Sequence, residues 1–276
     1  MKTVLITGAT SGIGKATTIA LAKKGFRVVS VARNLLKAED LVQQIKYETN
    51  VTTDFIIADL SSLSQVRKCV DIFRERYQKL DVLINNAGVC LPKRRLTVDG
   101  LEETFQVNHL SHFLLTNLLL DELKKATDAR IINVSSALYK NGVFDESNLQ
   151  SEKGFTPYGA YNLTKLLNIL FTLELAERLR GKGLTVNALH PGVVRTNFGS
   201  ELTGYRKSLS TVFQPFFLTP EKGAETSVYL ASSEEVKSIT GKYFDKCKIY
   251  DLENKSINEI NQKILWDKSV EYCGLR

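Results

Sequence analysis

TVLITGATSGIGKATTIALAKKG, residues 3–25, joins an apolar run, a turn with three glycines and an amphipathic stretch that stops at a fourth glycine. Residues 3–8 have the length and apolar content of a buried strand. Residues 15–25 read as a helix ended by a glycine, which can adopt left-handed backbone. Between them lie Gly8, Gly12 and Gly14. Lacking a Cβ, they allow a tight turn and close approach of a ligand to the backbone. The helix start offers unpaired N–H groups and positive potential to a phosphate. Gly8, Thr10, Ser11, Gly12, Ile13 and Gly14 are therefore candidate contacts for a pyrophosphate. The spacing is G-x-x-x-G-x-G rather than the commoner dinucleotide G-x-G-x-x-G, and no G-K-[ST] follows to make a P-loop.

The same alternation continues along the chain. Strands are expected at residues 27–33, 53–58, 81–86, 130–136 and 184–190, and a short one at 242–244 ends the sheet. Helices are expected at residues 35–47, 63–78, 101–126 and 157–180. Regular β/α alternation implies a parallel sheet covered by helices on both faces. No repeat or linker divides the sequence. The expectation is one doubly wound Rossmann-type α/β domain over residues 1–276, with a mainly parallel seven-stranded sheet. Residues 192–220 are the least regular. They contain the apolar cluster VFQPFFL (212–218) and read as a substrate-facing lid.

The chain has 276 residues, 43% of them hydrophobic, enough for a sizeable core. The net charge of +7 is spread over pairs such as Lys23–Lys24 and Lys124–Lys125 and the run Lys93–Arg94–Arg95. These read as solvated surface, and no aromatics interleave with them as a nucleic-acid groove requires. Cys69, Cys90, Cys247 and Cys273 form no C-x-x-C pair and none adjoins a histidine. A reduced compartment is expected, and no metal site. There is no signal peptide, and apolar runs such as residues 113–120 are too short to span a bilayer. The first strand starts almost at Met1, leaving no room for an N-terminal anchor. A cytoplasmic location is the expectation, with a homodimer left open.

The end of the second strand bears on the choice of dinucleotide. A site that reads a free ribose 2′-hydroxyl usually has a carboxylate there. This chain has Ala32 and then Arg33, so a guanidinium is available to meet a 2′-phosphate, with Lys15 adding charge. NADP(H) is the expected cofactor.

YGAYNLTKLLN (158–168) places two tyrosines near Lys165. A carbonyl that receives hydride needs a proton donor, and an ordinary tyrosine, with pKa about 10, suits neutral pH poorly. A nearby ammonium lowers it. Tyr161 and Lys165 are four residues apart, about 6 Å on a helix. Tyr158 is seven away, with a rise alone of about 10.5 Å. Tyr161 is therefore the candidate acid/base and Lys165 its tuner. Thr156 can cap the helix and Pro157 fits its first position. In NVSS (133–136), at a strand's carboxyl end, Ser135 and Ser136 are both candidates, and strand alternation lets only one face the substrate.

With TGATSGIG, NNAG (85–88) and Y-x-x-x-K (161–165) in this order, the chain resembles the short-chain dehydrogenase/reductase family over essentially its whole length. VNHLSHFLLTNLLL (107–120), HPGVVRT (190–196), GKYF (241–244) and the tail KILWDKSVEYCGL (263–275) look like its retinol dehydrogenase-like branch. The resemblance implies NADP(H) and a small apolar aldehyde, ketone or alcohol as substrate. It implies Tyr161 as general acid/base, Lys165 as pKa tuner and nicotinamide-ribose contact, and Ser136 as the hydroxyl that holds the substrate oxygen. Asn108 matches the asparagine that kinks its helix and binds a water. Asp59, with Leu60 beside it, resembles the adenine contact, and Asn86, Ala87 and Gly88 the adenine-ribose lining. Pro191, Gly192, Val193 and Thr196 resemble the segment that holds the carboxamide and implies pro-S hydride transfer. His109 and His112 match no catalytic position and read as packing or surface residues. Phe198, Tyr205, Phe213, Phe216 and Phe217 suggest an apolar substrate. The alternatives are a C=C reductase resembling protochlorophyllide reductase, whose insertion and cysteine are absent here, and a non-catalytic NADP(H) sensor.

Overall fold

Val4 and Ile6 point to one face of strand β1 (Thr3–Thr7) and Leu5 to the other, and all three are fully buried. Alternating side chains that are apolar on both faces suit a strand covered on both sides. The computed structural model describes residues 1–194 and 218–275. Around β1 lie β2 (Arg27–Ala32), β3 (Asp54–Ile57), β4 (Val82–Asn85), β5 (Ala129–Val134), β6 (Leu184–His190), β7 (Lys242–Asp245) and β8 (Lys248–Ile249). The sheet order is β3-β2-β1-β4-β5-β6-β7-β8, parallel throughout except for the β7–β8 pair.

Among the described residues the sheet has eight strands rather than the expected seven. Lys246 and Cys247 turn the chain back with φ of 50° and 62°, and β8 adds antiparallel to the edge. Such a two-residue turn normally advertises itself through Gly or Asn, and Lys-Cys carries no such signal.

Helices α1 (Gly12–Lys23) and α2 (Leu35–Thr49) cover one face. Helix α3 (Leu63–Arg76) lies on the other. The single long helix expected over 101–126 is instead broken into α4 (Glu103–Phe105), a π turn (Gln106–Leu110), α5 (Ser111–Leu118) and α6 (Leu120–Lys124). In the π turn, Ser111 N donates to Gln106 O five residues back. Helix α7 (Pro157–Arg178) follows the expected range closely. Among the described residues, two further helices not expected from the sequence add to the layers. Helix α8 (Pro220–Ser232) packs beside α1, and α9 (Glu259–Cys273) beside α7.

Side-chain hydrogen bonds fix the helices to the sheet. Asn85 on β4 donates to Thr116 of α5 at 2.9 Å and to its register partner Asn133 on β5 at 2.8 Å. Asn133 donates in turn to Thr172 of α7 at 2.9 Å. From outside, α9 clamps α5 and α7 through Trp266, whose ring lies 4.9 Å from that of Phe113 and 6.2 Å from that of Phe171. Among the described residues no helix is long and apolar enough to cross a membrane.

Phe113 is the point where α5, α7 and α9 meet. Replacing it with alanine opens a cavity shared by three helices, so urea unfolding of Phe113→Ala should show a loss of about 3–5 kcal/mol.

Candidate active site

Parallel strands end on a common edge, and a residue singled out in the sequence follows the end of each of the first six. They are Gly8 after β1, Arg33 after β2, Asp59 after β3, Asn86 after β4, Ser136 after β5 and Pro191 after β6. In open α/β sheets this edge is where ligands bind.

The glycine turn is shaped by backbone. Gly8 and Gly12 have φ of 67° and 50°. A Cβ on Gly14 would lie 2.2 Å from the Gly8 carbonyl oxygen and 2.6 Å from Asn86 Nδ2, so no larger residue fits. Helices α2, α3, α7, α8 and α9 begin with side-chain caps from Asn34, Ser62, Thr156, Thr219 and Asn258. Helix α1 begins at Ser11 with no side-chain cap. Its first N–H groups, through Ile13, suit an anionic ligand. Thr10 is half-buried beside them and Arg33 is exposed at the end of β2. Asp59 Oδ1 accepts from Ser61 N at 2.9 Å and from Ser61 Oγ at 2.8 Å, and Leu60 is buried.

The turn after β4 is held from both sides. Asn86 N and Ala87 N both donate to Thr7 Oγ1 at 3.0 Å, and Asn86 Nδ2 donates to Thr7 O at 2.8 Å. Asn108, in the π turn and fully buried, binds the peptide groups of Val89 with both ends of its amide. Val89 N donates to its Oδ1 at 2.7 Å, and its Nδ2 donates to Val89 O at 2.9 Å. The same Nδ2 lies 3.1 Å from Thr164 Oγ1 of α7. A Cβ on Gly88 would sit 3.5 Å from both Asn108 Oδ1 and Lys165 Nζ, so this turn lies against the lysine.

Ser135 and Ser136 are separated by their partners. Ser135 Oγ donates to the carbonyl of Lys165 at 2.7 Å and is buried as a tie between β5 and α7. Ser136 instead shares a hydrogen bond with Tyr161. Tyr161 and Lys165 are buried, whereas Tyr158, one turn earlier, is 39% exposed. Lys165 Nζ donates to Val134 O at 2.9 Å and lies 5.4 Å from the centre of the Tyr161 ring. Burial raises the Tyr161 phenol above its ordinary range, the reverse of the lowering anticipated from the lysine, and the hydrogen bond with Ser136 opposes that rise.

At the end of β6, His190 Nδ1 accepts from Ala137 N at 3.2 Å. Pro191 and Gly192 are half-buried and Val193 is exposed. The Val193 carbonyl accepts from Leu218 N at 2.8 Å. Thr196, the five aromatics from Phe198 to Phe217 and most of the expected lid over 192–220 lie outside the described residues. Among the described residues no group of three His, Cys, Asp or Glu could hold a metal ion.

The short chain dehydrogenase family model matches residues 2–206. The chain belongs to that family. Retinol dehydrogenase 14 of Homo sapiens is 44% identical to it over 292 residues, covering 99% of this chain and 87% of that relative. Retinol dehydrogenase 13 of Homo sapiens is 43% identical over 283 residues, covering 99% and 85%. A crystal structure of an uncharacterized protein from Mycobacterium Paratuberculosis superposes with a TM-score of 0.79 at 30% identity, covering 99% of this chain and 94% of that one. Short chain dehydrogenases are NAD(P)-dependent oxidoreductases. The uncapped start of α1 and the Gly14 contact fit the dinucleotide this family uses.

The sequence assigns no role to Thr7 or Thr164, and in it His112 reads only as a packing or surface residue. Thr7 had a visible signal, as a hydroxyl at the last position of the first strand. Thr164 and His112 had only their spacing, one residue before Lys165 and four after Asn108. Both histidines of the broken helix are core residues. His109 Nε2 lies 2.9 Å from Ser269 Oγ of α9, and His112 is bonded to Thr7.

Burial pushes the Lys165 ammonium down from its ordinary 10.5 to about 8. Between those two values the unfolded chain holds a proton that the folded chain has released, so stability contributed by this group rises with pH across that window. Below about pH 8 both states are protonated and the full cost of the buried charge remains. Urea unfolding at pH 7, 8 and 9 should therefore show the parent gaining stability relative to Lys165→Met as pH rises, by up to about 1.4 kcal/mol per pH unit.

Proposed function

We propose that this chain is an NADP(H)-dependent oxidoreductase that interconverts a lipophilic aldehyde or ketone and its alcohol. The observation that carries the reading is the grouping at one sheet edge of Ser136, Tyr161 and Lys165, with Gly88 facing both the lysine and Asn108. The names of the retinol dehydrogenase relatives add retinoids to the candidate substrates.

Bound NADP(H) would supply or accept the hydride. Gly8, Thr10, Ser11, Gly12, Ile13 and Gly14 would hold its phosphates, and Arg33 its 2′-phosphate. Asp59, Leu60, Asn86, Ala87 and Gly88 would line the adenosine, while Pro191, Gly192 and Val193 would border the nicotinamide. Ser136 would donate a hydrogen bond to the substrate oxygen and hold it against Tyr161, a donor aimed at the atom where charge develops. Tyr161 would give the proton to that oxygen in reduction and take it back in oxidation. Burial favours the protonated phenol, the form needed for reduction. Lys165, held by Val134 O, would act on the phenol through its charge.

The test is NADPH absorbance with a panel of aldehydes, ketones and retinoids. No turnover with any of them would overturn the reading. In the same assay Tyr161→Phe should lower kcat at least about 100-fold, the scale of positioned acid/base catalysis, while leaving NADPH affinity near the parent's. Tyr158→Phe should have a far smaller effect. The parent should prefer NADPH to NADH in kcat/KM, and Arg33→Ala should reduce that preference roughly tenfold or more, as expected on losing a charge-assisted hydrogen bond.

A further inference from the structure

His112 lies one turn beyond Asn108, 1% exposed, and is assigned no part in the proposed reaction. Its two ring nitrogens have different partners. Nε2 is 2.9 Å from Thr7 Oγ1, and Nδ1 is 3.2 Å from the carbonyl oxygen of Asn108. Thr7 Oγ1 already accepts from two N–H groups, those of Asn86 and Ala87. A hydroxyl has two lone pairs and one proton. With both lone pairs engaged, the Thr7 proton has only Nε2 as its acceptor among the described residues. Nε2 must then carry no hydrogen, and Nδ1 must carry one, which it donates to the Asn108 carbonyl. The hydrogen count thus assigns His112 as the neutral Nδ1–H tautomer. Burial, with the charge of Lys165 nearby, acts in the same direction by disfavouring the imidazolium.

The imidazole therefore connects two halves of the site. Through Thr7 it reaches the Asn86–Ala87 turn, which packs against Gly8 and Gly14 of the glycine turn. Through the Asn108 carbonyl it reaches the π turn, where Asn108 binds Val89 and Thr164. We propose that His112 is a positioning residue whose Thr7 bond sets the dinucleotide cradle and whose Asn108 bond sets the π turn beside Lys165. The functional part of this inference rests on the NADP(H) oxidoreductase reading.

The two arms can be removed separately. In asparagine the side-chain amide nitrogen occupies the place of Nδ1, so His112→Asn keeps a donor for Asn108 and loses the acceptor for Thr7. In glutamine the terminal amide reaches the place of Nε2, so His112→Gln keeps the acceptor for Thr7. His112→Leu removes both. NADPH affinity is read by quenching of protein fluorescence, and kcat with the best carbonyl from the panel. The leucine variant should weaken NADPH binding and lower kcat, each roughly tenfold, the effect of leaving one buried partner unsatisfied. The glutamine variant should regain most of the affinity, and the asparagine variant most of the kcat. Equal losses of both quantities in all three variants, tracking their thermal stability, would overturn the proposal, as would no loss in any.

If those variants fail to fold, ¹⁵N NMR of the parent's imidazole decides the tautomer without substitution. The expected signature at pH 7 is a pyrrole-type Nδ1 and a pyridine-type Nε2 for His112, the latter shifting in Thr7→Val. A pyrrole-type Nε2 would sink the assignment. A parent that neither binds nor oxidises NADPH would refute the proposed function, and with it the positioning role, while the NMR signature would still decide the hydrogen-bond network by itself.

Discussion

Two hydrogen bonds between the Asn108 amide and the peptide groups of Val89, one accepted and one donated by Asn108, hold the candidate site together. A side-chain amide here does what a neighbouring strand would do, pairing with both the N–H and the C=O of one residue. Those groups lie in a turn just past the end of β4, where no strand is available and where a polar group left unpaired would be costly. Asn108 reaches them from a π turn. A π turn closes its hydrogen bonds over five residues rather than four, which adds a residue to the helix without ending it. Gln106–Leu110 can therefore turn Asn108 toward the β4 turn while Phe113, Leu114 and Leu115 still face the core.

The sheet supplies the rest of the arrangement. Because β1 through β7 run in the same direction, the turns that follow them collect at one edge. Helix α7 then brings Tyr161 and Lys165 to that edge from the side. Thr156 starts it by accepting from Gly159 N at 3.0 Å, and Asn133 and Ser135 of the β5 region bond to it along its length. The four-residue interval between tyrosine and lysine has its chemical meaning only because the helix is fixed in rotation by these contacts.

Much of this could be read from the chain alone. The glycine turn, the strands through β7, the parallel order and the separation of Tyr161 from Tyr158 all follow from local pattern or short-range spacing. The residue reading left Ser135 and Ser136 open, because alternation shows that they differ but not which one faces inward. Their partners, Lys165 O and Tyr161, come from a helix about thirty residues away in sequence and distinguish them. The residues of 101–126 do not themselves show the break, because the amino acids of a π turn are those of any buried helix, and only the family resemblance, through Asn108, implies a kink there. Helices α8 and α9 give a weak apolar pattern for related reasons: α8 buries mostly small or polar residues such as Gly223, Ala224, Thr226 and Ser227, and α9 buries only Leu265, Ser269 and Cys273. The direction of the Tyr161 shift was misjudged because spacing reports the nearby ammonium and cannot report the loss of solvent. Burial dominates for the phenol, and it also pushes the ammonium itself down.

The contrast between satisfied and unsatisfied polar groups marks the ligand side of the edge. Around Thr7, His112, Asn108 and Thr164, side-chain hydroxyl, ring and amide groups are engaged within the protein, and these residues are buried. Such a network fixes geometry because each member restricts its neighbours. A few ångströms away, α1 begins without the side-chain cap that α2, α3, α4, α7, α8 and α9 have, behind a glycine turn too tightly packed for any side chain at Gly14. The scaffold groups are committed inward and the α1 N–H groups are left without a cap. That asymmetry is a sign of binding independent of the motif itself. Ser11 is of a type that caps well, yet its hydroxyl makes no cap bond to α1, which leaves the first N–H groups of that helix to an anion.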